Sequence, residues 1–435
     1  MVDGDWERGD LLGHDFPVHI DALRNGGPEF LTAAFRASGA LESDNRVAAI
    51  TQLEHWSGGS TGRKALLRVE YERPGTDLPE TLFVKFSRDP GNKMRDRGRW
   101  QMESEVRFGL VSSIPDFPVA VPRCLFGEYS TSSGSGVLVT ERIAYGEGGI
   151  EPHHAKARDY EIDDVQGHYD ALVSAIARLA GNHRAGRLPG ELMEHFPARS
   201  PQGGSSRSNP GTEPYTPDKL AGRIDRYAHF ARRFPQLLPE EIRSGEFIAR
   251  MREEGRRAVD NAEAIRAARQ DEYRKLYAFC HWNANIDNAW FWHDADGRVA
   301  CGLMDWGNVG QINMVNALTS CLMFAEADFV IDNLDHLFGV FARVFTESGG
   351  GALDPEVLKH QFSMGLVADG LRLPLDRVAL VERHVPDLEL VEDRFDPRIA
   401  DDEFARTQLH ILTWALLRWE ALDVHSLIDW SISNG

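Results

Sequence analysis

The chain has 435 residues, a formal net charge of −19, 42% hydrophobic residues and 26% charged residues. That is enough chain for two packed lobes or two to three ordinary domains, with a composition that can bury a core. The acidic balance excludes a general nucleic-acid binder, which needs a basic face. The lack of any run of about 18 apolar residues excludes a membrane-spanning helix.

The acidic start, Met1 to Asp10, has no apolar core and does not read as a signal peptide. Pro28 stands at a first-turn position, Phe30, Leu31, Ala34 and Phe35 recur at helical spacing, and Gly39 ends the run, so a helix is predicted here. From about Ala48 to Ile143 the texture is that of strands. Segments 65–71 and 81–86 are short and rich in β-formers, with a Pro-Gly-Thr-Asp turn at 74–77 between them. One helix interrupts, with Met102, Val106 and Leu110 on a single face, and 136–140 reads as a further strand.

After Ile143 the chain turns helical. Tyr169, Leu172, Ile176 and Leu179 form one packing stripe, Leu334, Leu337, Phe341 and Phe345 a second, and Leu409, Leu412, Leu416 and Trp419 a third. Residues 197–217 are rich in Pro, Gly and Ser and read as a loop or lid. His153 and His154 read as solvated. Cys124, Cys280, Cys301 and Cys321 have neither zinc nor disulfide spacing and are predicted to be buried thiols of a reducing cytosol. The expected fold class is α+β and bilobal, with a small β-rich lobe and a larger α-helical lobe. The expected divisions are an N-terminal helical extension over 1–45, a first lobe over 46–142 and a second over 143–435. A ligand cleft between two such lobes is the default expectation.

The chemistry is concentrated from His281 to Asp305. His281-Trp282-Asn283-Ala284-Asn285-Ile286-Asp287-Asn288 leads into the apolar run 289–293. Asp294-Ala295-Asp296-Gly297 is a turn signal, and 298–304 returns to Asp305-Trp306-Gly307. A hairpin turning at 294–297 brings Asn288 and Asp305 to the same open end. An amide oxygen and a carboxylate converging there suit Mg²⁺, a hard cation that takes oxygen ligands.

This run resembles the catalytic loop of the aminoglycoside phosphotransferase and choline kinase-like family, a protein-kinase-like fold. That loop is usually His-Gly-Asp with an Asn five residues on. Met304-Asp305-Trp306-Gly307 is similar to the family's Ile-Asp-Trp-Gly. The resemblance spans roughly residues 46–345. It implies that Asn288 and Asp305 hold Mg²⁺ and that Gly58, Gly59 and Ser60 form a phosphate-covering turn. It further implies that Lys85 meets the nucleotide and pairs with Glu105, with Glu103 second, that Glu141 lies at the adenine hinge, and that Trp282 and Trp306 face the substrate.

The departures are specific. The family's catalytic aspartate is Asn283 here and its glycine is Trp282. An amide can accept a hydrogen bond from an acceptor hydroxyl but cannot take its proton, and loss of a general base costs about 10²–10⁴-fold. Asp287 is the carboxylate available as a substitute, and His281 the remaining titratable group. The expected function is ATP- and Mg²⁺-dependent phosphorylation of a small-molecule hydroxyl. Two alternatives stand beside it. One is a kinase fold turned to nucleotide-independent chemistry on a small, flat substrate, such as a lyase or isomerase reaction. The other is a non-catalytic pseudokinase.

Overall fold

The computed structural model describes residues 4–56, 62–73, 78–88, 93–112, 114, 116–197 and 216–435. The predicted turn at 74–77, the Gly58-Gly59-Ser60 turn and most of the 197–217 loop lie outside the described residues. The chain divides into two compact units. The first comprises Met1–Pro152, Gly186–Pro197 and Asn288–Gly310; the second comprises His153–Ala185, Ala198–Asp287 and Gln311–Gly435.

The first unit is built on a five-stranded antiparallel sheet in the spatial order Val47–Trp56, Arg63–Tyr71, Thr81–Phe86, Ser135–Glu141, Cys124–Ser130. Side chains alternate across a strand. Leu82, Val84 and Phe86 therefore face one way and join Phe16, Leu31 and Phe35 in the core under the helix Ile20–Ala37. Lys85, opposite Leu138 in register, faces the other way. On that side lies the helix Lys93–Ser112, whose Met102 and Val106 pack with Cys124, Tyr129 and Leu138.

The predicted helix after Pro28 is present, and Gly39 follows its end with φ 75°. It also extends upstream. Ile20 opens a first segment capped by the His19 ring, and a kink at Gly27 (φ 62°, ψ −163°) precedes Pro28. The Asn-Gly-Gly run at 25–27 masked this segment in the sequence. The strand Cys124–Ser130 is buried along its whole length and contains Glu128, with no exposed surface. The Glu128 carboxylate accepts from the backbone N–H groups of Leu11, Leu12, His14 and Tyr129 at 2.8–3.2 Å. It thereby ties the N-terminal segment to the sheet. Gly9 passes so close that a Cβ there would collide with this carboxylate.

The hairpin of Ala289–His293 and Val299–Leu303 also belongs to the first unit. It is fastened by Leu303 N–H to Ala120 O (3.0 Å) and Glu151 N–H to Phe291 O (2.9 Å).

The second unit is mostly helical. It includes the short strand Tyr277–His281. Tyr169, Leu172, Ile176 and Leu179 are fully buried on the helix Val165–Arg184. Leu337, Phe341 and Phe345 are buried on Ala327–Glu347, with Leu334 half-buried. Leu409, Leu412, Leu416 and Trp419, on Glu403–Ala421, share one core with Ile224, Tyr227, Phe230 and Met251. All four cysteines are free and buried, and burial pushes the Cys124 thiol up to about 12. Among the described residues no helix is long and apolar enough to cross a membrane.

Candidate active site

Lys85 and Glu105 meet because strand alternation and helix phase both turn inward on one side of the sheet. Glu105 precedes the buried Val106 on the helix, and both ionic residues are less than a tenth exposed. The Lys85 ammonium donates to Glu105 Oε2 at 2.5 Å and to Asp305 Oδ1 at 2.9 Å. Burial opposes the charge on Lys85, but the Asp305 and Glu105 carboxylates outweigh it and hold its pKa above the ordinary lysine value. One cation serves two carboxylates. Burial accordingly pushes Glu105, the more enclosed acid, above the usual range against the pull of Lys85. Glu103 is engaged elsewhere, accepting from Arg107 Nε at 3.0 Å.

Asp305 owes its place to the hairpin. The turn is closed by the Asp294 carboxylate, which accepts from the N–H groups of Asp296 and Arg298 at 2.9 Å, and by Gly297 at φ 75°. At the open end Ala289 pairs with Leu303, and Met304 N–H donates to Asn288 O at 2.9 Å. Asn288 and Asp305 therefore flank the same end. Asp305 sits in the left-handed region (φ 60°, ψ 58°), a conformation sparsely used by residues other than glycine and concentrated at functional sites. Its side chain is 35% exposed, against 8% for Lys85.

Trp306 is buried. Its ring stacks on Phe108 (centroids 3.9 Å apart, 14° between planes) and its Nε1 donates to Leu303 O at 2.8 Å. It braces the hairpin end against the helix. Gly307 allows that approach, since a Cβ there would sit 3.2 Å from the Gln101 backbone. Tyr145, which the sequence reading passed over, donates its hydroxyl to Ala289 O at 3.1 Å. The Glu141 side chain accepts from Arg123 N–H at 2.8 Å.

In the second unit the loop after Tyr277–His281 carries the other predicted residues. His281 is fully buried, while Trp282 is 45% exposed. The Asn283 carbonyl accepts from Asn285 N–H at 2.8 Å. Asp287 Oδ2 lies 3.1 Å from Lys156 Nζ, and burial raises the Asp287 pKa against the opposing charge of Lys156. His153, read as solvated, places its ring nitrogen 3.0 Å from Asp287 O, and the His154 ring packs edge-on against His168.

Neither Lys156 nor Asp159 carries a spacing signal. Asp159 is 1% exposed and accepts from the Tyr169 hydroxyl. Burial pushes its carboxyl up to about 7, outweighing that hydrogen bond. The Tyr169 stripe was legible as packing, but its hydroxyl partner was not.

The donor set of the first unit fits a magnesium–nucleotide. The Asn288 amide and Asp305 carboxylate offer hard oxygen donors, beside a fixed ammonium that can meet phosphate oxygens.

No protein-family model matches the chain, and no curated protein matches it. Solved structures similar to it include the GDP complex of aminoglycoside 2'-phosphotransferase-IIIa, at 13% identity over 85% of this chain and 94% of that one, with a TM-score of 0.37. Choline kinase from Cryptosporidium parvum Iowa II is similar at 10% identity over 87% and 91%, with a TM-score of 0.39. A microcompartment-associated aminopropanol kinase is similar at 13% identity over 91% and 99%, with a TM-score of 0.40. The chain is α+β, with a five-stranded sheet in one unit and mostly helices in the other.

Proposed function

We propose that this protein is a phosphotransferase that uses a magnesium–nucleotide, ATP in the first instance, to phosphorylate the hydroxyl of a small molecule. The observation that carries the reading is Lys85 held at 2.5 and 2.9 Å by two carboxylates. A purely structural buried lysine needs one partner. A second carboxylate, on a left-handed residue partly open to solvent and next to Asn288 at a hairpin end, is suited to share a hard cation with phosphate oxygens.

Lys85 presents positive charge to phosphate oxygens, and Glu105 fixes its position. Asn288 and Asp305 are the residues that would hold the cation. The bound magnesium–nucleotide supplies the transferable phosphoryl group with its charge partly neutralised. Asn283 orients the acceptor hydroxyl by accepting its hydrogen bond. Asp287, in the same loop, is the carboxylate available to receive the proton. Positioning and charge neutralisation dominate phosphoryl transfer, so an amide at position 283 is compatible with turnover.

The amide also favours a second reading, in which the site carries out nucleotide-independent chemistry on a flat substrate stacked on the exposed Trp282. One experiment separates the two. Wild type and Asn283→Asp are assayed for ATP turnover against a panel of hydroxylated small molecules. The kinase reading expects acceptor-dependent turnover in the wild type, retained or raised in Asn283→Asp by up to about 10²-fold. Absence of turnover in both proteins across the panel contradicts it.

A further inference from the structure

The helix Glu403–Ala421 is enclosed on nearly every side. A helix so placed is ordinarily apolar all round, yet this one buries Arg406, Thr407, Gln408, His410, Thr413 and Arg418. All but the last have partners. Arg406 Nε donates to Lys156 O at 2.9 Å, and Thr407 donates to Glu403 O at 2.8 Å. Gln408 accepts from Arg377 at 2.8 Å. His410 lies 3.0 Å from Ala325 O, and Thr413 donates to Leu409 O at 3.2 Å.

Arg418 is different. It is 5% exposed and, among the described residues, has neither an ion pair nor a hydrogen bond. Its contacts are aromatic. The guanidinium carbon lies 3.7 Å from the Phe362 ring centre and 4.6 Å from that of Trp414. Trp414, one helical turn earlier on the same face, buries its Nε1–H with no acceptor among the described residues. Burial lowers the Arg418 pKa to about 9 with no carboxylate opposing it.

We propose that Arg418 and Trp414 form a binding site for a small oxyanion, the carboxylate or phosphate group of a ligand that enters the helical unit. Both side chains offer donors only. The planar guanidinium fork matches a carboxylate or phosphate with paired N–H groups, and packing against two rings fixes its orientation. Water can satisfy an N–H group but leaves the buried charge uncompensated, and a buried charge is ordinarily paired. The site lies wholly in the second unit and does not depend on nucleotide chemistry.

The test uses the full chain in chloride buffer at constant ionic strength, titrated separately with inorganic phosphate and with acetate. The local readout is the ¹⁵N-indole resonance of Trp414, assigned by its disappearance in Trp414→Phe. The global readout is Tm. Saturable movement of that resonance with a rise in Tm is expected for at least one anion, and which anion acts identifies the group recognised. Arg418→Met is expected to abolish the response, and Trp414→Phe to weaken the affinity read by Tm about tenfold. The proposal is overturned if neither anion moves the Trp414 resonance, or if Arg418→Met responds as the wild type does. If Arg418→Met does not fold, an unchanged affinity in Trp414→Phe overturns it instead.

Discussion

Replacing Lys85 by methionine is expected to lower nucleotide-dependent turnover by about 10²–10³-fold, the usual loss when a fixed group that stabilises developing charge is removed. It is also expected to destabilise the first unit by about 3–5 kcal/mol, because breaking one side of a buried pair leaves an uncompensated charge. The charge left behind is Glu105, 8% exposed, with Asp305 deprived of the same cation. The two effects are separable. In Lys85→Met/Glu105→Leu the buried Glu105 carboxylate is gone, so urea denaturation should show most of the lost stability restored while turnover stays as low as in the single variant. A single variant with unchanged stability would show that the pair does not hold the sheet and helix together.

The second large effect is expected at Glu128. Its carboxylate accepts four backbone N–H groups, three of them from residues 11, 12 and 14. Glu128→Ala leaves those donors without a partner at a site with no exposed surface. At roughly 1–3 kcal/mol for each buried group left unsatisfied, the loss should reach at least about 3 kcal/mol. Glu128→Gln keeps the shape but turns one acceptor into a donor facing other donors, so an intermediate loss of about 1–3 kcal/mol is expected. Hydrogen exchange should report faster exchange at residues 11–14 in both variants. Protection equal to wild type would mean that the N-terminal segment is held by its apolar contacts alone.

What the sequence disclosed and what it hid divide along physical lines. Periodic packing was legible. The Met102–Val106–Leu110 spacing marks a helix, the apolar run 81–86 marks a strand, and Asp294-Ala295-Asp296-Gly297 marks a hairpin turn, because each signal repeats over several residues. The placement of Lys85 on the opposite face from Val84 and Phe86 follows from alternation alone. The strand Cys124–Ser130 was hidden because Gly127 and Glu128 break its apolar texture, although Glu128 is satisfied inside the fold. The first part of the helix Ile20–Ala37 was hidden by glycines that make a kink rather than an end. Single buried polar groups gave no signal. Asp159 answers one tyrosine hydroxyl, Lys156 answers Asp287 from far along the chain, and Arg418 sits beside a stripe that reads as ordinary helix. Their partners are set by tertiary packing, which spacing does not encode.

In the proposed reading the first unit holds a magnesium–nucleotide through Lys85, Asn288 and Asp305. Titration calorimetry of the wild type and of Asp305→Ala with ATP, in the presence and absence of Mg²⁺, tests it most directly. Saturable binding by the wild type that requires Mg²⁺ and vanishes in Asp305→Ala is the predicted result. No binding by the wild type, or binding equally tight in Asp305→Ala, would contradict it.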